Sequence, residues 1–175
     1  MKSIYVRQAT LNDIDEIMVI IDQAKALLKT DKNPQWQDGY PNLNSIKKDI
    51  DAKTSNVIVV NNVVAGYASI SSVPEPNYTA ITDGSWKNTS ETYSTIHRVA
   101  ISTDFKGMNL ARILLITLIS KATDQNIYNF RVDTHELNQR MQHILNSLGF
   151  TKRGTILVSN KFDPYRFGFE LNLSH

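Results

Sequence analysis

The run Ile96-His97-Arg98-Val99-Ala100-Ile101 is followed by Lys106-Gly107-Met108-Asn109-Leu110-Ala111 and then by an apolar stretch of helical length. A strand that passes through a tight basic turn into a helix leaves several backbone N–H groups unpaired and aimed at one point. Such a terminus binds anions. Its dipole contributes roughly 0.3 to 1 kcal/mol toward a nearby negative group, before any contribution from Lys106. Thiol chemistry is excluded, because a chain without Cys has no disulfide, no thiolate metal site and no Cys nucleophile. Asp133, His135 and Glu136 are close in sequence but lack any recognised ligand spacing, and no His-Glu-x-x-His motif accompanies them, so no metal site is expected. Asp133 and Thr134 are expected instead to cap the following helix or to line a cleft. Neither Gly-x-Gly-x-x-Gly nor Walker spacing occurs, which argues against a nucleotide-binding domain.

The elements that must hold this segment follow from hydrophobic periodicity. Residues 3–7 alternate as a strand, and Thr10 or Asn12 caps a helix with Ile14, Ile17, Met18, Ile21, Ala24 and Leu28 on one face. A polar loop over residues 30–41 carries Trp36 and Tyr40; Asn42 or Asn44 then caps a shorter helix. Residues 57–60 and 63–70 read as antiparallel strands joined at Asn61-Asn62, since Asn tolerates positive φ. Residues 73–91 form a long loop, of a length that is often functional. Residues 93–101 are a strand. Residues 109–122 are apolar nearly all round, as in a helix buried against a sheet. On the strand over residues 127–133, Tyr128, Phe130 and Val132 share one face and Asn129, Arg131 and Asp133 the other. A helix over residues 137–148 stops at Gly149, and residues 155–159 and 165–171 read as two closing strands. The order is β-α-α-β-β-(loop)-β-α-β-α-β-β, with no internal repeat or linker, so residues 1–175 are expected to form a single mixed α/β domain.

Composition narrows the partners. A chain of 175 residues with 41% hydrophobic and 21% charged residues is in the soluble globular range. Its 19 basic and 17 acidic residues leave a net charge of +2 without a basic stripe, so nucleic acid is not an expected partner. No aliphatic run exceeds four residues, as at 113–116, far short of a membrane span, and Asp13, Asp15, Glu16 and Asp22 interrupt any secretory apolar region. No membrane partner and a cytoplasmic location are expected.

The turn after residue 101, combined with Leu148-Gly149-Phe150 after a strand and a helix, resembles the GNAT superfamily of acyl-CoA-dependent N-acyltransferases, and the element order resembles that fold over essentially the whole chain. The family's phosphate-cradling pattern falls on Lys106, Asn109 and Ala111. Lys106 keeps the positive charge, Asn109 stands where glycine is usual, and Ala111 matches. Bacterial members of the family combine three further motifs that stand here at residues 96–100 (Ile-His-Arg-Val-Ala), 133–141 (Asp-Thr-His-x-x-Asn-x-x-Met) and 35–41 (Gln-Trp-x-x-Gly-Tyr-Pro).

The resemblance implies an α/β (α+β) fold, with a mixed, mostly antiparallel sheet flanked by helices and a splayed parallel strand pair. It implies acetyl-CoA as co-substrate and a small-molecule amine or peptide as acceptor. Val99, Ala100 and Ile101 would hold the pantetheine arm, and a backbone amide near Val99 would polarise the carbonyl. The amides of Lys106, Gly107, Met108, Asn109, Leu110 and Ala111, with Arg112 close by, would take the pyrophosphate; Asn138 would reach the coenzyme from the next helix. An alkylamine of pKa about 10.4 is neutral in only about one molecule in 2,500 at pH 7, a penalty near 4.6 kcal/mol, so a base is useful. His97 is the candidate, sharing a strand face with Thr95 while Arg98 points away; the alternative is a strand histidine satisfied by a carbonyl. Trp36 and Tyr40 would close over the acceptor or else pin their loop. Where the family often has a proton-donating Tyr, four residues before the Gly-Phe pair, this chain has Leu145. A non-catalytic acyl-CoA-binding or regulatory module of the same fold is the alternative function. Dimers are common among relatives, which leaves monomer and homodimer both open.

Overall fold

The computed structural model describes residues 3–89, 91–158 and 163–174. In chain order the elements are β1 (Ile4–Gln8), α1 (Ile14–Thr30), α2 (Leu43–Asp51), β2 (Ser55–Val60), β3 (Val63–Ser71), β4 (Tyr93–Ile101), α3 (Leu110–Thr123), β5 (Asn129–Thr134), α4 (Gln139–Ser147), β6 (Thr151–Leu157) and β7 (Tyr165–Asn172). Among the described residues, seven strands form one sheet in the order β1-β2-β3-β4-β5-β7-β6. Every neighbouring pair is antiparallel except β4 and β5, which run parallel.

Local signals set several boundaries. Asn42 accepts a hydrogen bond from the Ser45 amide at 3.1 Å while its own amide donates to Ser45 Oγ at 2.9 Å, a reciprocal cap that starts α2. Asn61 and Asn62 adopt φ of 49° and 67°, the left-handed pair that closes a two-residue hairpin between β2 and β3. The sheet is buried on both faces. On β2, Ile58 and Val60 pack with α3, whereas Val57 and Val59 pack with Ile17, Ile20 and Ile21 of α1 and Ile46 of α2. The apolar surround of α3 is used almost fully: Leu110, Leu114, Leu115 and Leu118 are buried, each side chain contributing about 1.5 to 3 kcal/mol relative to exposure.

Several strand boundaries differ from the sequence expectation by one residue or more, and the shifts of β6 and β5 have evident causes. The first closing strand begins at Thr151, not at residue 155, and ends at Leu157; its expected end at residue 159 lies outside the described residues. Lys152 and Arg153 conceal the early start, because β6 is an edge strand and tolerates charged side chains. The strand expected over residues 127–133 is β5, two residues later at its start and one at its end, since Asn126 with φ of 62° is still turning the chain out of α3.

Candidate active site

Three strand pairs, Tyr93 with Asn129, Ser94 with Phe130 and Thr95 with Arg131, make up the whole parallel ladder between β4 and β5. β4 continues to Ile101 and β5 to Thr134, so beyond Thr95 and Arg131 the two strands part. The opening is a cleft of about 810 Å³, lined on one wall by residues 96–102 and on the other by Val132, Asp133 and Thr134.

β4 carries a bulge at this point. Tyr67 pairs with Ala100 but Ser69 pairs with His97, so two steps along β3 match three along β4. Arg98 takes up the extra residue at φ of 56°, a conformation that costs a non-glycine residue about 1 to 2 kcal/mol. The expectation that Arg98 points away from His97 is therefore corrected: both side chains line the cleft. Alternation fails because the bulge resets the pleat between them. Arg98 is fixed there by Asp49 of α2, with Nη1 to Oδ2 at 3.2 Å, and by the Tyr40 ring, 5.4 Å from its guanidinium carbon. Asp49 also accepts from the Tyr67 hydroxyl at 2.6 Å; burial, reinforced by Asp49, raises the pKa of that phenol, so it stays a donor.

At one end the cleft meets the turn before α3. Gly107 has φ of 79° and Asn109 of 56°, and α3 starts directly after. Among the described residues the consecutive amides of residues 106–112 donate to no other group, while Phe105 and Ile113 on either side are satisfied by Ser102 and Asn109 carbonyls. A Cβ built on Gly107 would meet nothing within 4 Å, so the approach to these amides is open. Lys106 lines the same end. The nest fits a diphosphate, and the parted strands fit an extended amide-bearing arm beside it.

At the other end lies a cluster of charged and aromatic groups. His97 Nε2 stands 3.5 Å from Glu75 Oε2, and Glu75 sits between Pro74 and Pro76 in the long loop, where its carboxylate also receives the Asn77 amide at 3.3 Å. His97 first, then the Asn77 contacts, hold the Glu75 carboxyl below the usual range against the opposing effect of burial. Asp133 on β5 is moved the other way: burial raises its pKa, opposed by His97, Arg166 and Arg98. The Tyr78 ring lies 6.4 Å from the His97 ring, centroid to centroid.

The long loop is held firmly. Glu170, buried on β7, accepts from the Lys87 amide at 2.8 Å and pairs with Arg153 at 3.0 Å and Arg131 at 3.5 Å. The Arg131 guanidinium lies between the Trp86 and Tyr93 rings, 4.3 and 4.0 Å from their centroids. Gly84 lies so close to β6 that a Cβ there would come within 1.9 Å of the Arg153 carbonyl oxygen.

The remaining expected residues fall as follows. Val99, Ala100, Ile101, Lys106, Gly107, Asn109, Leu110, Ala111 and Asn138 all line the cleft, as do Trp36 and Tyr40. Trp36, at φ of 68°, also packs on the α1 side of the core. Asn138 caps α4 through the Met141 amide at 3.2 Å and donates to Gln35 at 3.4 Å, so the α4 start and the 30–41 loop are joined at the cleft. Met108 packs against the core, and Arg112 is turned away: its Nη1 donates to the Ser147 carbonyl and hydroxyl, both at 2.9 Å. One turn into α3, Arg112 faces α4 and not the nest. Leu145 is fully buried in the core. His135 is engaged at both ring nitrogens, by Asp163 at 2.5 Å and by the Leu137 amide at 3.0 Å. Among the described residues, no group of three His, Asp or Glu could hold a metal ion, and no helix is long and apolar enough to cross a membrane. Glu75, Arg98, Tyr78 and Arg166 were not expected as site residues. Their places depend on a loop path, a bulge and the β7 pairing, and none of these carries a local sequence signal.

The sheet with its one parted parallel pair, and the turn with its unpaired amides, define an acyltransferase fold, and comparison with known proteins agrees. The family model described as acetyltransferase (GNAT) family matches residues 21–150. A GNAT-family acetyltransferase structure from Streptococcus agalactiae 2603 is 36% identical, covers 98% of this chain and 96% of its own, and superposes with a TM-score of 0.89. The chain belongs to the acetyltransferase (GNAT) family. The Salmonella typhimurium yncA structure, solved with its cofactor acetyl-CoA, is 21% identical over 99% of this chain and 95% of its own, with a TM-score of 0.70. A ribosomal-protein-alanine N-acetyltransferase from Brucella melitensis is 19% identical over 97% and 99%, with a TM-score of 0.69. Both share the fold. The search of curated proteins finds no match.

Proposed function

We propose that this enzyme transfers an acetyl group from acetyl-CoA to a primary amine, with His97 taking the amine's proton and Glu75 holding the resulting imidazolium. The observation that carries this reading is the parallel ladder that stops at Thr95 and Arg131 and opens toward the unpaired amides of residues 106–112. Acetyl-CoA supplies an activated thioester, open to direct attack by a neutral amine. The nest amides and the Lys106 ammonium bind its diphosphate, and the free edge of β4 from Val99 to Ile101 offers backbone partners to its arm. The amide of Val99, beside the bulge, is the donor we assign to the carbonyl oxygen.

His97 accepts the amine's proton at Nδ1 while Nε2–H faces Glu75 Oε2. Because the Glu75 carboxyl is held below its ordinary range, it is ionised wherever an amine would react. Leu145 is buried at the position where relatives often place a Tyr, so α4 offers no proton donor there, and a thiol of ordinary pKa near 8.5 leaves without one. The test is release of free thiol from acetyl-CoA in the presence of a panel of amines. Amine-dependent release is expected; coenzyme binding with no release for any amine would overturn the reading.

A further inference from the structure

The loop over residues 30–41 contributes a buried side chain that the proposed mechanism leaves unused. Gln35 is 9% exposed and lines the cleft. Its Oε1 accepts from the His135 amide at 3.2 Å and from Asn138 Nδ2 at 3.4 Å, where β5 hands over to α4. Both partners are donors: the first is backbone, and the second cannot turn over, because Asn138 Oδ1 caps α4 through the Met141 amide at 3.2 Å. The Gln35 amide is therefore fixed, with its oxygen toward α4 and its Nε2 away from it. Among the described residues nothing accepts from Nε2, and unlike the enclosed Nδ2 of Asn33 it retains open surface, which for a residue of the cleft wall faces the cleft. The backbone beneath is held as well. The Gln35 amide donates to Asn33 Oδ1 at 2.9 Å, its carbonyl receives Gln37 Nε2 at 3.3 Å, and Asp31 pairs with Arg140 of α4. A donor held in this way loses little freedom on binding.

An uncharged, unpaired N–H2 on one wall of a cleft is matched by a neutral oxygen. The other wall is the free edge of β4, whose backbone suits the amide-bearing arm of acetyl-CoA. A secondary amide of that arm is planar and trans, so its N–H and its C=O point in opposite directions. When the N–H donates to the β4 edge, the carbonyl oxygen is turned across the gap, toward the junction of β5 and α4. Gln35 stands at that junction. We propose that Gln35 is a coenzyme-binding residue, its Nε2 donating to an amide carbonyl oxygen of the pantetheine arm. Asn138, expected to reach the coenzyme itself, holds the Gln35 amide in the orientation this requires. The inference rests on the reading that acetyl-CoA lies between the parted strands, and it adds a donor from the 30–41 loop to that site.

Titration calorimetry on the full chain compares coenzyme A with 3′-phosphoadenosine 5′-diphosphate, which keeps the nucleotide and the diphosphate but lacks the arm. Gln35→Glu retains an oxygen for His135 and Asn138 and exchanges the donor for an acceptor; Gln35→Met removes the donor without adding charge. Both variants should bind coenzyme A about tenfold or more weakly than the natural protein, the scale of a lost hydrogen bond that leaves a buried carbonyl unpaired, while the armless nucleotide binds as before. Coenzyme A affinity unchanged in both variants would overturn the assignment, and a raised acceptor KM alongside it would give the donor to the acceptor instead. A loss shared equally by the nucleotide would trace the effect to a disturbed nest and overturn the assignment as well. A natural protein that binds neither ligand would sink the coenzyme reading itself, and this inference with it.

Discussion

In the proposed mechanism the chemistry turns on His97 and Glu75, and their contributions are separable. His97→Ala should lower kcat/KM by about 10² or more, the range of a positioned proton acceptor, while acetyl-CoA affinity measured by titration stays within about twofold. A rate and pH profile unchanged by the substitution would leave His97 as a wall residue. Glu75→Gln keeps the size and the Asn77 contact but removes the charge facing the imidazole, and should cost about tenfold in kcat with little change in KM for the coenzyme. At the nest, Asn109 holds φ of 56°. Asn109→Gly fits this backbone without strain and removes a side chain from the anion approach, so acetyl-CoA should bind as tightly or more tightly. Asn109→Val should destabilise by about 1 to 2 kcal/mol, read as a lower midpoint in urea, because a β-branched residue resists the left-handed region.

Among the elements, the segment between β3 and β4 carries Glu75 and Tyr78 to the cleft, and it keeps them there by resting on β6 and β7. A Cβ at residue 84 cannot be accommodated without moving the loop or the edge strand, since backbone lies 1.9 Å away. Gly84→Ala should therefore lower stability by about 1 to 3 kcal/mol, with a change in Trp86 fluorescence as the loop lifts. The acceptor KM should rise more than the coenzyme KM, because the nest before α3 is built elsewhere. Equal effects on both would mean that the loop does not form the acceptor end. The β4 bulge is a second device of this kind: one additional residue turns Arg98 onto the same wall as His97, and Asp49 on α2 holds it there.

For the molecule as a whole, the clearest pH-sensitive contact is far from the cleft. Arg7 on β1 grips Asp13 through two hydrogen bonds of 2.8 and 2.6 Å, and Asp13 also accepts from the Thr10 amide at 2.7 Å, joining the first strand to the start of α1. The Arg7 guanidinium is the main cause that holds the Asp13 carboxyl down to about 2. A depressed carboxyl stabilises the folded state above its unfolded pKa near 3.8 and loses that contribution as pH falls toward 2. Denaturant midpoints should therefore drop across that window in the natural protein, with a smaller drop in Asp13→Asn, whose midpoint at neutral pH is already lower. Identical slopes would show that the pair does not couple to folding.

Hydrophobic period, cap residues and the Asn61-Asn62 turn were enough to place the helices and most strands, because these are short-range preferences written into neighbouring side chains. The basic turn at residues 106–111 was legible for the same reason: a helix start exposes its own amides wherever it occurs. The parting of β4 from β5, the bulge that brings Arg98 beside His97, and the delivery of Glu75, Tyr78 and Asp133 to one end of the cleft were decided only in the assembled sheet. Each depends on the register between segments remote in sequence, and a strand's own residues state which faces alternate, not where the ladder to a distant partner slips or ends.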